Sequence, residues 1–311
     1  MLYNTERNHM RIVVIGQAQF GHDVLKELLQ QGKNVVGVST PLPKDNNDND
    51  PLSALAKENQ LPNIYTKLLK KENAKNEFIE TMKPDLIVFA FVNDIIPKEI
   101  IDAATIGAIQ YHPSLLPKHR GRSAMNWSIV NGEDETGLSI FWVDQGIDTG
   151  PIILQESTAI GLNDSVGTLY FNTLYPLGIA TMMKAITLVE NNAAPSIIQD
   201  ESLATYEEPF EKKHAKINWS ADIKQIHNLI RGSDPQPGAY CNFMNDSVQL
   251  YQSKIIDRIV QTEKPGTIIE IENTAVVIAG KNGSIKINKV RKNGESKINA
   301  SDLLNIGDTL Q

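Results

Sequence analysis

The chain has 311 residues, 41% hydrophobic and 22% charged, with a formal net charge of −7; this balance excludes a disordered or low-complexity protein and leaves room for one sizeable core and a smaller second one. No apolar run approaches the roughly 18 residues of a membrane span, and residues 1–10 lack the apolar centre of a signal peptide, so a cytoplasmic protein with no membrane partner is expected. A single cysteine, Cys241, excludes an internal disulfide and a multi-cysteine metal site and reads as a small, half-buried apolar residue.

Arg11–Gly16 is a short β-branched run ending in glycine, and the following His22–Gln31 carries Val24, Leu25, Leu28 and Leu29 at helical spacing, so the chain opens as strand, turn and helix. Gly16 and Gly21 lack the middle glycine of a dinucleotide fingerprint and the Lys-Ser/Thr of a phosphate loop, which leaves them the structural task of turning a strand tightly into its helix. Val35–Ser39 is a second strand. Residues 41–51 are polar, acidic and bounded by prolines; they form a surface loop without the mid-loop glycine and twelfth-position glutamate of a calcium-binding EF-hand. Pro51–Asn59 reads as a helix and Asp85–Phe91 as a near-continuous apolar strand covered on both faces. This alternation predicts an α/β fold with a Rossmann-like, doubly wound, mostly parallel sheet.

Phe91–Pro97 follows that strand at its carboxyl end, where open α/β sheets place their ligand crevices, and could offer backbone groups to a flat heterocycle. Thr105–Tyr111 is the next strand and delivers His112 into a loop stiffened by Pro113 and Pro117, a placement that favours a functional imidazole over a structural one. His22, His119, His214 and His227 lack that context and read as surface or packing residues, and Arg120 as a residue holding the loop, with attraction of an anionic ligand as the alternative. Ala124–Val130 is helix-like and Gly137–Val143 is a strand. The turn Asp144–Gly150 beyond it is glycine-rich enough to fold over a ligand and bring Asp148 back towards His112, while Asp144 is expected to hydrogen-bond the loop backbone.

Gly161–Glu190 reads as one core helix, capped by Asn163-Asp164-Ser165 and closing the first domain. Pro195–Pro209 is a linker, Asn218-Trp219-Ser220 caps a short helix through Ile230, and Pro235–Ala239 turns into several short strands. Lys281–Lys297 carries a local basic surplus; its alternation reads more simply as a solvated edge strand and hairpin, with a tRNA-binding surface as the alternative.

An imidazole paired with a carboxylate suits proton movement onto and off a carbonyl adduct. The runs Tyr111–Trp127 and Phe141–Gln155 that surround them resemble the folate-dependent formyltransferase family. Within it, the chain is most similar to the subgroup containing the amino-terminal hydrolase domain of 10-formyltetrahydrofolate dehydrogenase. That likeness rests on Val14-Ile15-Gly16-Gln17 with Phe20-Gly21, on Asp50-Pro51-Leu52, on Tyr111, and on Ala215–Trp219, Ile226-His227-Asn228 and Ile230-Arg231-Gly232.

The resemblance implies a formyltransferase core over residues 10–204 and a small β-rich, OB-like domain over 205–311. It implies 10-formyltetrahydrofolate, giving tetrahydrofolate, as co-substrate, with no metal and no NAD. His112 would polarise or protonate the formyl oxygen and Asp148 would relay the proton through water. Asp94, Ile95 and Ile96 match the segment holding the pterin by backbone contacts, and Ser114, Leu115, Leu116 and Pro117 match the loop beside the folate. Gln110 departs from the asparagine that transferases of the family commonly carry two residues before the histidine. Its amide sits one methylene further out, and loss of an oxyanion donor can cost on the order of 3 kcal/mol, so its part in catalysis stays open. The formyl acceptor is expected to be water or a small amine, with tRNA as the alternative, disfavoured by the acidic loop at 41–51. A non-catalytic folate-binding module is the alternative from another class. Because the chain ends at Gln311, the oxidative step of the full dehydrogenase is expected to be absent.

Overall fold

The computed structural model describes residues 10–43, 50–256 and 263–311; the aspartate-rich stretch weighed above as a calcium loop lies largely outside them. The chain forms two compact units. One comprises residues up to Lys118 with Leu138–Glu156 and Tyr175–Ala204; the other comprises His119–Gly137, Ser157–Leu174 and Thr205–Gln311.

In the first unit β1 (Ile12–Gly16), α1 (Ala18–Gln30), β2 (Val35–Ser39), α2 (Pro51–Glu58), α3 (Glu72–Met82), β3 (Leu86–Ala90), α4 (Lys98–Ile101) and β4 (Gly107–His112) alternate along the chain. After α5 (Ala124–Val130), a helix of the second unit, come β5 (Glu135–Trp142) and β6 (Ile152–Ala159), and the sheet order is β2-β1-β3-β4-β5-β6. The strands β2, β1, β3 and β4 are mutually parallel, whereas β5 runs antiparallel to β4. Both faces are covered. Ile12 and Val14 enter one apolar cluster with Val24, Leu25 and Met182, while Val13 and Ile15 enter the other with Phe78 and Met82. A strand's two-residue period sends neighbours to opposite faces, which is why β1 has to be apolar throughout.

The expected single helix at 161–190 is instead α6 (Val166–Leu169), a π-helical turn over Tyr170–Leu174, and α7 (Tyr175–Glu190). Ser165 caps it as anticipated, through a capping box with Thr168. Phe171, inside the stretch read as a core helix, is 66% exposed and lies in the π turn. The stretch 195–204 is no free linker. Ile197 and Ile152 exchange backbone hydrogen bonds of 2.7 and 3.0 Å, and the indole of Trp142 donates to the Pro195 carbonyl.

The second unit holds α8 (Ile223–Gly232) and an antiparallel sheet of β7 (Ala239–Phe243), β8 (Asp246–Ile256), β9 (Ile268–Glu272), β10 (Ala275–Ala279), β11 (Ser284–Lys292) and the short β12 (Ile298–Asn299), in the order β7-β8-β11-β10-β9 with β12 on β11. Residues 308–311 hydrogen-bond to Gly266 and Ile268 beside β9 and to Asn242 of β7, so the last residues link the two outer strands. The α8 cap is Asp222 rather than Asn218, which closes a local turn on the Ser220 amide. The basic run is not at an edge: β11 lies between β8 and β10, with Ile285, Ile287 and Val290 fully buried. Cys241 is fully buried rather than half-buried, and desolvation pushes its thiol up to about 12, which leaves it an unreactive packing residue.

Gly16 packs so closely on β3 that an added Cβ would lie 2.2 Å from the Ala90 carbonyl oxygen. Gly16, at the end of β1, and Gly21, within α1 against Leu52, thus serve packing. Gly16→Ala should cost about 2–3 kcal/mol through overpacking, seen as a lower urea midpoint at unchanged denaturant slope.

Candidate active site

Gln110 and His112 are two residues apart on β4 and so share one face of the sheet, as does Ala108. Tyr111 points to the other face and stacks on Phe20 with centroids 4.6 Å apart, beside Gly178, whose missing Cβ would lie 2.6 Å from the tyrosine ring. Because β5 is antiparallel, its end at Trp142 lies opposite Ile109, and the chain leaves the sheet after Val143, whose amide donates to the Ala108 carbonyl at 2.8 Å. It re-enters at once: the Trp142 amide donates to the Pro151 carbonyl at 2.8 Å. Residues 144–150 are therefore an excursion closed at its base by the Trp142–Pro151 bond.

Two devices shape the excursion. Asp144 Oδ1 accepts from the Gly146 amide at 2.9 Å and the Thr149 hydroxyl at 2.6 Å, the loop-holding function expected of it. At Gly150 an added Cβ would lie 1.6 Å from the Trp142 carbonyl oxygen, so only glycine fits. Asp148 consequently turns back over the β4 face in the left-handed backbone region, with φ +57°.

Its carboxylate is addressed at both oxygens. The Gln110 carboxamide donates to Oδ1 at 3.3 Å, and His112 Nδ1 lies 3.4 Å from Oδ2. His112 is 5% and Asp148 8% exposed. Both distances exceed the roughly 2.7–2.9 Å of a closed charge-assisted pair. An imidazole held through Nδ1 can carry a proton on Nε2, and a buried carboxylate beside it can take one from a nucleophile.

The remaining sequence candidates divide. Val92, Ile96 and Val143 pack on the cluster that contains Ala108, which sets the 92–96 segment on the same sheet face as Gln110 and His112. Ile95 is 83% exposed, and Asp94 accepts from the Thr66 hydroxyl at 2.5 Å. In the other loop Ser114 and Leu116 face inwards. The Ser114 hydroxyl donates to the Lys118 carbonyl, the Ser139 hydroxyl donates to the Ser114 carbonyl, and Gln155 donates to the Leu116 carbonyl at 2.8 Å. Leu115 and Pro117 remain partly exposed. Reading the sequence missed Ser139, Gln155 and Gln199, polar side chains without periodic context; only Ser139, on the strand paired with β4, stands in a position a register argument could have reached.

In the second unit His119 is buried between Glu207 (Nδ1, 3.0 Å) and Glu133 (Nε2, 2.9 Å), and Arg120, 1% exposed, donates to the Tyr206 hydroxyl at 2.6 Å. Both act as packing residues. Among the described residues no three His, Cys, Asp or Glu side chains cluster as metal ligands, and no helix is long and apolar enough to cross a membrane.

The fold and the buried carboxylate–imidazole pair define a class. Residues 10–185 match the formyl transferase family and residues 209–307 the formyl transferase C-terminal domain; the chain belongs to the folate-dependent formyltransferase family. Its relatives include mitochondrial 10-formyltetrahydrofolate dehydrogenase of Mus musculus, 35% identical over 97% of this chain and 34% of the relative, and methionyl-tRNA formyltransferase of Alkaliphilus oremlandii, 33% identical over 97% of this chain and 98% of the relative. The chain thus spans about a third of the dehydrogenases it matches. The fold recurs in HypX from Aquifex aeolicus in complex with tetrahydrofolic acid, with a TM-score of 0.66 at 20% identity over 95% of this chain and 47% of that one. It recurs also in the sugar 3N-formyl transferase WlaRD, with a TM-score of 0.67 at 21% identity over 93% and 99%.

One buried histidine outside this pair has a measurable consequence. His227 sits between the Ser253 hydroxyl and the Leu162 carbonyl, each at 2.8 Å, and burial, aided by the nearby Arg231 charge and opposed by the Leu162 carbonyl, holds its pKa below the ordinary 6.5. A depressed folded-state value means stability is fully present above 6.5 and is lost as pH falls below it through the folded value. The urea midpoint should drop between pH 7 and about pH 5.5, and His227→Gln should flatten that drop; an equal slope in both proteins would exclude His227 as its source.

Proposed function

We propose that the protein hydrolyses 10-formyltetrahydrofolate to tetrahydrofolate and formate, or passes the formyl group to a small amine, with His112, Asp148 and Gln110 at the reacting centre. The carrying observation is the Asp148 carboxylate standing 3.3 Å from Gln110 and 3.4 Å from His112 in a nearly closed environment. Water adds through oxygen to the formyl carbon as Asp148 accepts its proton, and His112 hydrogen-bonds the developing oxyanion. The adduct collapses with cleavage of the bond to N10, the proton passes to N10, and the formic acid released ionises. An amine follows the same course through its nitrogen and leaves as the N-formyl amine. The backbone of Asp94, Ile95 and Ile96 would hold the pterin, with Ser114, Leu115, Leu116 and Pro117 alongside the folate.

Gln110 donating to Asp148 supports a carboxylate-orienting role for an amide that is longer than the asparagine of the transferases. Residues 10–204 are read as the catalytic domain and 205–311 as an OB-like domain, of a cytoplasmic enzyme that needs neither metal nor NAD. The tRNA reading is favoured by the relative matched over 98% of its length. Against it, cations of the basic run are engaged within the chain: Lys286 with Glu272, Lys292 with Asp246, Lys297 with Asp234 and Lys289 with Asn299. Surface pairs of this kind are weak and screened by salt, so they weaken a phosphate surface without abolishing it.

Incubation with 10-formyltetrahydrofolate should release formate without added amine; strict dependence on a small amine or on methionyl-tRNA would move the assignment to that acceptor, and binding without turnover would identify a folate-binding module. His112→Ala and Asp148→Asn should each lower turnover at least about a hundredfold while leaving the circular dichroism spectrum unchanged. Near wild-type rates in both variants would remove the catalytic assignment.

A further inference from the structure

We propose that Gln199 is a positioning residue that sets the direction of the Asp148 carboxylate, an inference that rests on the formyl-group chemistry proposed above. Gln199 is 5% exposed and lies in the polar stretch beyond α7. Its single carboxamide nitrogen donates to two carbonyls, that of Asp148 at 2.9 Å and that of Gly150 at 2.7 Å. Those carbonyls bracket Thr149, so one side chain ties together the two peptide groups that control how the carboxylate leaves the loop.

Both anchors of this tie are rigid. Gly150 cannot move towards the sheet, since its α-carbon already crowds the Trp142 carbonyl. Gln199 is carried by the backbone exchange between Ile197 and Ile152, which extends the start of β6 outwards. Asp148 itself occupies a left-handed conformation that a residue with a Cβ adopts only when its surroundings hold it there. Asp144 braces the first half of the excursion through Gly146 and Thr149, and Gln199 braces the second half. The influence of Gln199 on the carboxylate passes through the Asp148 backbone, whose carbonyl its amide nitrogen holds.

The role is tested in the full chain with Gln199→Met, which keeps the volume and removes both donors, and Gln199→Ala. Each should lower kcat about 10- to 100-fold, the usual consequence of misplacing a reacting group by about 1 Å, with KM for 10-formyltetrahydrofolate within about threefold. In an Asp148→Asn background the same substitutions should cost less than about twofold, because a residue acting through Asp148 has nothing left to position. Equal losses in both backgrounds, or a loss confined to KM, would overturn the proposal. Hydrogen–deuterium exchange on the unliganded proteins gives a readout independent of turnover. Gln199→Met should speed exchange over residues 144–151 and leave 107–112 as in the wild type, and unchanged exchange at 144–151 would overturn the clamp. A wild-type protein inactive on formyl folate would instead remove the proposed function, and the exchange comparison would still decide the positioning role.

Discussion

The placement of one carboxylate governs this molecule. Asp148 comes from a loop with no regular structure, yet its side chain is oriented against two groups of a central strand, and the surrounding sheet exists in the form needed to achieve that. The two-residue period of β4 puts Gln110 and His112 on a common face, and the reversal of β5 brings the chain back past them. Burial excludes most of the water that would otherwise compete for the carboxylate, so contacts of more than 3 Å still carry weight.

Much of the scaffold was legible in the residues, for identifiable reasons. Ile12–Gly16 and Val35–Ser39 are short β-branched runs bounded by turn formers, and His112 ends an apolar run at a proline. Each of these is a local signal, and each element lies where the pattern put it. The direction of β5 left no such trace, since alternation is identical in parallel and antiparallel strands and only the hydrogen-bond register separates them. The helix α3, with a modest apolar stripe in a charged stretch, and the strand β6, whose outer half alternates with exposed residues, went unassigned. The π turn at Tyr170–Leu174 was likewise invisible, because a change of helical phase is a tertiary accommodation.

The basic run at 281–297 shows a different limit. A lysine-rich alternating segment resembles an edge, since edges carry lysine to block further pairing. Here β11 is central, and its lysines reach out along their aliphatic stems to Glu272 on β9, Asp246 on β8 and Asn299 on β12. In the site itself, the proximity of His112 and Asp148 followed from motif placement and the loop's glycines. Gln199 could not be found that way, because a lone glutamine in a polar stretch looks the same whether it faces solvent or fastens two carbonyls.

The excursion between β5 and β6 is closed at its base by the Trp142–Pro151 hydrogen bond, with Val143 still held to Ala108 of β4. Closing a loop at its base makes its length nearly independent of the scaffold, since each doubling of a flexible loop adds only about 0.6 kcal/mol of closure entropy. Insertions at the exposed apex around Gly146 would therefore leave the strand ladder in register and the stem intact. Such a stem is a natural grafting point: the loop above it can be lengthened without rebuilding the sheet beneath.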